Sequence, residues 1–488
     1  MTREITGKNI HLRPVKSRSN PYRILLFLFL ILAGFWLILQ YNRGQMTMPF
    51  SPTPTPTRSI ESYTLQAQAY FEAGKLDDPS SENDVIDTYL KALEVQPDNA
   101  RLFAELARVQ AYSSSLLSTD QDRLARLEQA RDNIRKASDL APDDSTVLAT
   151  KAFVLDWNAS SNLISEDQRE AYLAEAESAA NRAYLLDPQN ALALAFYAEV
   201  LLDQQKWDQA QGYAEQAVQR APDSMDTHRV YATVLEYLGL YRSSIEEYQK
   251  ASDLAPNLTF LLLRIGLIYR NLGNKELTAS SAGALYETAL EYFDRAARIN
   301  DQLGIQDPSP YIAIAKTYTQ QGQFFIASRN AEKALRLSPS SSDTYGQLGM
   351  IYVQARNYES ALPALRCAVE GCSAAENTTA QEFIDQRLLP CSTQGVTPDP
   401  DQGYTQEQLN QCSYAVQALP LTNLTVAYYY IRYGSVLAYL TDSKNGYCDK
   451  SHALMEKLRE YSPNDSDLMG NVETNEATCQ LLMGKTAP

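Results

Sequence analysis

The residues that could do chemistry are few and scattered. Only three histidines occur, His11, His228 and His452, and they lie far apart in the chain. No serine-nucleophile elbow, zinc-binding HExxH, phosphate-binding loop or dinucleotide fingerprint is present. The acidic pairs Asp77-Asp78 and Asp143-Asp144 sit at turns and helix starts, where carboxylates cap backbone amides, which is their expected role here rather than acid–base catalysis. His228 falls within an ordinary helical stretch and is expected at the surface. The reading is of a protein with no catalytic residue, no cofactor and no metal.

Cysteine is the one reactive residue that clusters. Cys367, Cys372, Cys391, Cys412, Cys448 and Cys479 all lie in the last quarter of the chain. None has the spacing of a zinc knuckle, and an even count outside the cytoplasm points to disulfides. Residues 374–421 hold Asn377, Pro390, Pro398, Asp399, Pro400 and Gly403, and form an excursion that bridges would stabilise. Beyond it, Leu424–Leu440 reads as one helix, Cys448–Tyr461 as a second, and about 464–482 as a capping helix. Cys448 then begins one helix and Cys479 ends the next, so an antiparallel pair brings them together. For Cys367, Cys372, Cys391 and Cys412 three connectivities remain open.

The elements that would position these residues repeat. Ala198, Trp207, Ala210, Ala217 and Pro222 recur 34 residues on as Ala232, Tyr241, Ser244, Ala251 and Pro256. Ala315, Phe324, Ala327, Ala334 and Pro339 keep the same offsets, as do Gly349, Tyr358, Ala361 and Ala368. A fixed period of this length means one helix-turn-helix unit copied many times. Two short antiparallel helices need small residues where they cross. The aromatic opens the second helix, and proline closes the unit because it cannot continue one.

This pattern resembles the tetratricopeptide repeat family over roughly residues 60–373. Units 189–222, 223–256, 308–339 and 340–373 match without gaps, and three others fit with about eleven or twelve extra residues between helices, as surface loops tolerate. The resemblance implies an all-α, right-handed superhelical solenoid of about eight repeats whose first helices line a groove. Carried over by spacing from the small residue, the groove ridge would hold Arg108, Tyr112, Asp156, Trp157, Glu199, Asp203 and Arg229. It continues with Thr233, Glu236, Tyr237, Arg270, Asn271, Lys316 and Gln320. Tyr112, Trp157 and Tyr237 are its candidate anchors, with packing between repeats the alternative for each. The family's carboxylate clamp of Lys and Asn is absent at Ala195, Glu199, Arg229 and Thr233.

The N-terminus adds a membrane expectation. Ile24–Leu39 is an unbroken apolar run between Arg23 and Arg43. Residues 1–23 carry six Lys/Arg against Glu4, and only Arg43 and Arg58 follow before residue 60. The positive-inside rule places the tail in the cytoplasm and the repeats outside. A cleavable signal peptide is the rival reading, disfavoured because Gln40, Tyr41 and Asn42 follow the run. The expected organisation is a basic tail (1–21), a transmembrane helix (22–41) and a Pro/Thr-rich linker (42–59). The solenoid (60–373), a Cys-containing insertion (374–421) and a terminal helix pair with its cap (422–488) follow. Net charge is −16, and −23 once residues 1–58 are set aside, which argues against nucleic acid as a main ligand. The expected function is a membrane-tethered scaffold at the cell membrane that binds protein or peptide partners outside the cytoplasm, with no small-molecule substrate. The alternative is an accessory or regulatory subunit of a membrane enzyme complex of the envelope, surface-glycan or secretion machinery.

Overall fold

The computed structural model describes residues 20–42, 58–78, 82–117, 119–161, 163–384, 405, 408, 414–442 and 445–483. The basic tail, the Pro/Thr-rich stretch, Cys391 and Cys412 lie outside them. Met1–Arg58 and Ser59–Pro488 form separate compact units. In the first, helix α1 (Pro21–Asn42) contains the apolar run. Its 20 residues Pro21–Gln40 are apolar enough to cross a bilayer and are not buried against protein. They reach about 30 Å at 1.5 Å per residue, the thickness of a hydrocarbon core.

The second unit is built of helix pairs. They are α2 (Ile60–Glu72) with α3 (Val85–Val95), α4 (Ala100–Ser114) with α5 (Asp120–Leu140), and α6 (Ser145–Ala159) with α7 (Glu166–Leu186). Next come α8 (Ala191–Asp203) with α9 (Trp207–Arg220), α10 (Met225–Tyr237) with α11 (Tyr241–Leu254), and α12 (Thr259–Lys275) with α13 (Ala279–Leu303). Then α14 (Ser309–Gln320) packs on α15 (Phe324–Leu337), and α16 (Ser342–Gln354) on α17 (Tyr358–Glu370). The chain continues through α18 (Ala374–Ile384) to the last pair, α19 (Leu424–Tyr439) with α20 (Tyr447–Tyr461), closed by α21 (Ser466–Leu482).

The repeated small residues sit where the helices cross. Ala198, Ala210 and Ala217 are fully buried, and so are Ala315, Ala327 and Ala334. A Cβ at Gly349 would stand 2.5 Å from Leu365 Cγ, so the approach of α16 to α17 requires glycine. Four of the first helices start at side-chain caps: Asn99, Asp144, Asn190 and Ser341 each accept a hydrogen bond from a first-turn amide, which satisfies an otherwise orphan donor.

The extra residues of three units form helix, not the expected surface loops. Counting back from Ala130, Ala176 and Ala289, an unextended second helix would start at 127, 173 and 286; α5, α7 and α13 start at 120, 166 and 279. Each insertion therefore adds about two turns at the N-terminus of a second helix. Thr119, Ser165 and Thr278 cap these added turns, Ser165 in a reciprocal capping box with Gln168.

In the Cys-rich region, Cys367 and Cys372 are joined with Cα atoms 5.0 Å apart. Gly371 turns the chain at φ +77°, and Cys372 exchanges two backbone hydrogen bonds with Val416, which returns residues 414–419 to the end of α17. Cys448, in the first turn of α20, is joined to Cys479, in the last turns of α21, at a Cα separation of 5.6 Å.

Candidate functional site

The inner face of the solenoid is made by the first helix of each pair, and the chain winds tightly enough for distant repeats to meet across it. Asn257, ahead of α12, donates to the carbonyl of Ala73 at 3.2 Å. Asp120 of α5 accepts from the backbone N–H and the hydroxyl of Ser342, at 3.2 and 3.0 Å. These contacts join positions 184 and 222 residues apart.

Closure spends much of the expected ridge on the protein itself. Tyr112 is 1% exposed and donates its hydroxyl to Asp226 of α10. Its ring stacks on Phe260 at 5.5 Å and meets Trp157 edge-on at 5.2 Å. Arg108 reaches the other oxygen of Asp226 at 2.7 Å and holds Glu105 at 2.8 Å. Arg229, 5% exposed, grips both oxygens of Glu199 at 2.6 and 2.8 Å while lying over the Phe153 ring. Glu236 accepts from Arg264 at 2.7 Å, and Thr233 shares a hydrogen bond with Tyr248 at 2.9 Å. Tyr112 and Arg229 are therefore interior groups here, not exposed anchors. For Tyr112 the reason is the contact with Asp226, 114 positions on, which no local pattern encodes; Arg229 is held by Glu199 of the neighbouring first helix, 30 positions back. Trp157 is half-buried, and Tyr237 is 61% exposed.

Asp156 and Asp203 form the acidic corner of this region. Asp156 is buried, while Asp203 lies at the solvent edge. Burial, together with Asp203 and Glu199 nearby, holds the Asp156 carboxyl well above the usual carboxylate range. Its Oδ1 has no hydrogen-bond partner.

Further along, the ridge changes character. Arg270 donates to the carbonyl of Ala313 at 3.4 Å, and its buried Nε has no partner. Lys316 makes no ion pair with a described residue. Burial pushes its ammonium down to about 8, with Asp343 opposing and Arg270 adding to the shift. Asn271 and Gln320 are exposed beside them. Asp343 accepts from Tyr429 of α19 at 2.9 Å.

Two groups flagged by the sequence turn out otherwise. His228 is buried, not superficial: Nδ1 faces Glu247 at 2.5 Å and Nε2 faces the carbonyl of Pro222 at 2.7 Å. Of the acidic pairs, Asp144 caps α6, but Asp77 pairs with Arg126 at 2.6 Å, and the cap of α3 is Asp84. His452, Glu456 and Glu476 come close enough to hold an ion, but Arg459 bridges both glutamates at 2.6 Å, which makes the cluster a surface ion-pair network. Of the Asn-x-Ser/Thr sites, Asn158 and Asn377 are buried and hydrogen-bonded, so neither can carry a glycan in this fold, whereas Asn464 is exposed. Among the described residues no nucleophile–base pair or other catalytic constellation is assembled.

Stacked antiparallel helix pairs with alanine crossings and a polar inner ridge define an all-helical repeat solenoid. The fold is that of the tetratricopeptide repeat proteins. No protein-family model matches the sequence, and no curated protein matches it. Solved structures do match. The human IFIT1 dimer with m7Gppp-AAAA is 14% identical over 87% of this chain and 82% of that one, with a TM-score of 0.50. A thermophilic TPR protein of Thermus thermophilus is 18% identical over 41% of this chain and 99% of its own, at 0.33. Cut9 in the APC/C hetero-tetramer Cut9-Hcn1 is 14% identical over 67% of this chain and 55% of its own, at 0.45.

Proposed function

We propose that this protein is a membrane-tethered, non-catalytic scaffold that receives an extended segment of a partner protein along the inner face of α12–α16, outside the cytoplasm. The observation that carries the reading is the pair of cations, Arg270 and Lys316, on an inner face where neither makes an ion pair with a described carboxylate and Asp343 offsets the burial of Lys316 only in part. A partner carboxylate would relieve both, since an unpaired buried cation loses its hydration without compensation. Exposed Asn271, Gln320 and Tyr237 supply hydrogen-bonding and aromatic contacts beside them. The apolar helix α1 supports the tether, and the basic excess ahead of it supports an N-in orientation.

One neighbour carries an RNA-type ligand in its structure. Here Asp156, Glu199, Asp203, Asp226, Glu236 and Asp343 share the inner face with the arginines, and the whole chain is at −16. Such a surface favours a peptide with mixed charge over a polyanion.

The test is a photo-crosslinking amino acid at Gln320, at Asn271, and at the exposed outer position Gln216, in the full chain in sealed right-side-out membranes. Adducts to one protein at the two inner positions and none at Gln216 are expected. No adduct at either inner position sinks the groove reading. Resistance of the repeats to protease added outside sinks the orientation.

A further inference from the structure

One cavity on the inner face is not absorbed by the scaffold reading. It has a volume of about 370 Å³ and is walled by Asp120, Asp156, Glu199 and Asp343, with Arg123 as its one cation. Trp157, Leu163 and Leu419 give it apolar sides.

Four carboxylates would by themselves say little, because exposed or self-satisfied acids are common. Three of these are satisfied. Asp120 accepts from Ser342 twice, Glu199 spends both oxygens on Arg229, and Asp343 accepts from Tyr429. Arg123 is occupied too: Nε donates to the Leu117 carbonyl at 2.8 Å, and Nη1 stands 3.8 Å from Asp120. Asp156 differs. It is 6% exposed, lines the cavity, and leaves Oδ1 without a donor. The carboxyl shares a hydrogen bond with Asp203, itself an acid, and a buried carboxyl oxygen left without a donor is costly. Arg229, whose charge acts on Asp156, already has both terminal nitrogens on Glu199.

We propose that this cavity is a binding site for an organic monocation with an ammonium or guanidinium head and a short apolar stem, received by Asp156. The head supplies the missing donors, and the stem lies between Trp157 and Leu163, where aromatic and alkyl surfaces accept it. Burial and the neighbouring acids now oppose ionisation of Asp156, and an incoming cation reverses that bias. The same chemistry is offered by a free alkylguanidinium and by the side chain of an arginine in a peptide. The site is distinct from Arg270 and Lys316, and it stands or falls independently of the scaffold reading.

The experiment uses the full chain in detergent and measures binding by calorimetry. The probes are butylguanidinium, the tripeptide acetyl-Ala-Arg-Ala-amide, and butylurea as the neutral isostere. Binding of butylguanidinium marks a site for a free cation, and binding of the tripeptide alone marks a site for a partner's side chain. Either supports the proposal if butylurea binds about tenfold more weakly or worse and Asp156→Asn loses about tenfold or more. The exposed-site variant Asp143→Asn should bind as the parent does. If Asp156→Asn does not fold, Leu163→Trp, which narrows the cavity from the apolar side, is expected to lose binding in the same way. Equal affinity for butylurea, unaltered binding in the variants, or no binding of either cation overturns the proposal.

Discussion

The inner faces of α4–α10 and of α12–α16 are built from the same helix-pair unit, and they treat charge in opposite ways. In the first, every arginine named has a carboxylate: Arg108 takes Asp226 and Glu105, and Arg229 takes Glu199. Arg264, which leads out of this half, takes Glu236. In the second, Arg270 and Lys316 have none among the described residues. Arg108 and Lys316 hold the same place in their repeats, one residue past Ala107 and Ala315, so position alone does not decide the difference. Two sources of carboxylate decide it: the neighbouring first helix supplies Glu199 to Arg229 and Glu236 to Arg264, and the superhelix brings Asp226 of α10 across to Arg108 of α4, whereas Arg270 meets a backbone carbonyl of α14. An equivalent ridge position serves stability where the turn closes and is left for something else where it does not.

The largest effect that would break this comparison belongs to Asp226. It accepts from both Arg108 and Tyr112 while 5% exposed. Asp226→Ala leaves the buried Tyr112 hydroxyl without its acceptor and half-buried Arg108 with Glu105 alone. The expected loss is about 3–5 kcal/mol, in the range for breaking a buried pair by removing one partner. Urea unfolding of the full chain in detergent measures it, and a loss under about 1 kcal/mol would mean the closed half is not held by this cluster. Asp226→Asn keeps an acceptor for Tyr112 and should cost less.

How much of this was legible beforehand follows from the range of each interaction. Ala198, Ala210 and Ala217 are read correctly because the constraint they answer, two helices touching, lies within one unit and repeats at 34. The juxtaposition of Cys448 and Cys479 follows from the order of two adjacent helices. The added turns of α5, α7 and α13 fall where the repeat spacing predicts loops, although Thr119, Ser165 and Thr278 are ordinary cap residues that mark helix starts. Tyr112 could not be placed, because the pitch of a superhelix sums small rotations over many units and leaves no local signature, whereas the carboxylate that holds Arg229 lies 30 positions back on the neighbouring first helix. His228 is an intermediate case. Glu247 lies 19 positions on, on the paired helix α11, and an acid facing a histidine inside one helix pair is a readable signal.

Lys316 supplies the opposite sign to Asp226. Its ammonium falls to about 8 in the folded chain against 10.5 as a free side chain. The unfolded chain therefore binds more protons between those values, and stability rises with pH across that window. Below about 8 the full penalty applies. Lys316→Met is expected to stabilise the chain at pH 7 by about 2 kcal/mol and to flatten the rise between pH 8 and 10.5. A destabilised Lys316→Met would show that a carboxylate already satisfies this lysine, and the two inner faces would no longer differ.

The smallest effect tests where the closed half is anchored at its end. Both ring nitrogens of His228 face acceptors, a carboxylate of Glu247 and the carbonyl of Pro222, so the ring must carry both protons. The bond to Glu247 raises its pKa above 6.5, against the opposing burial. His228 and Lys250 in turn hold the Glu247 carboxyl below its usual range, although burial alone would raise it. A histidine raised in the fold contributes its full stabilisation below the unfolded value and loses it as pH climbs through the folded one. A carboxylate lowered in the fold loses its share only as pH drops through its own folded value. The ion pair therefore works in the window between them. His228→Gln should cost about 1.5 kcal/mol at pH 5.5, the scale of hydrogen bonds to charged groups, and much less at pH 9. Denaturation midpoints for both proteins across that range decide the matter. A cost that stays constant with pH would mean that His228 is held for its shape and that the charge on its ring does no stabilising work.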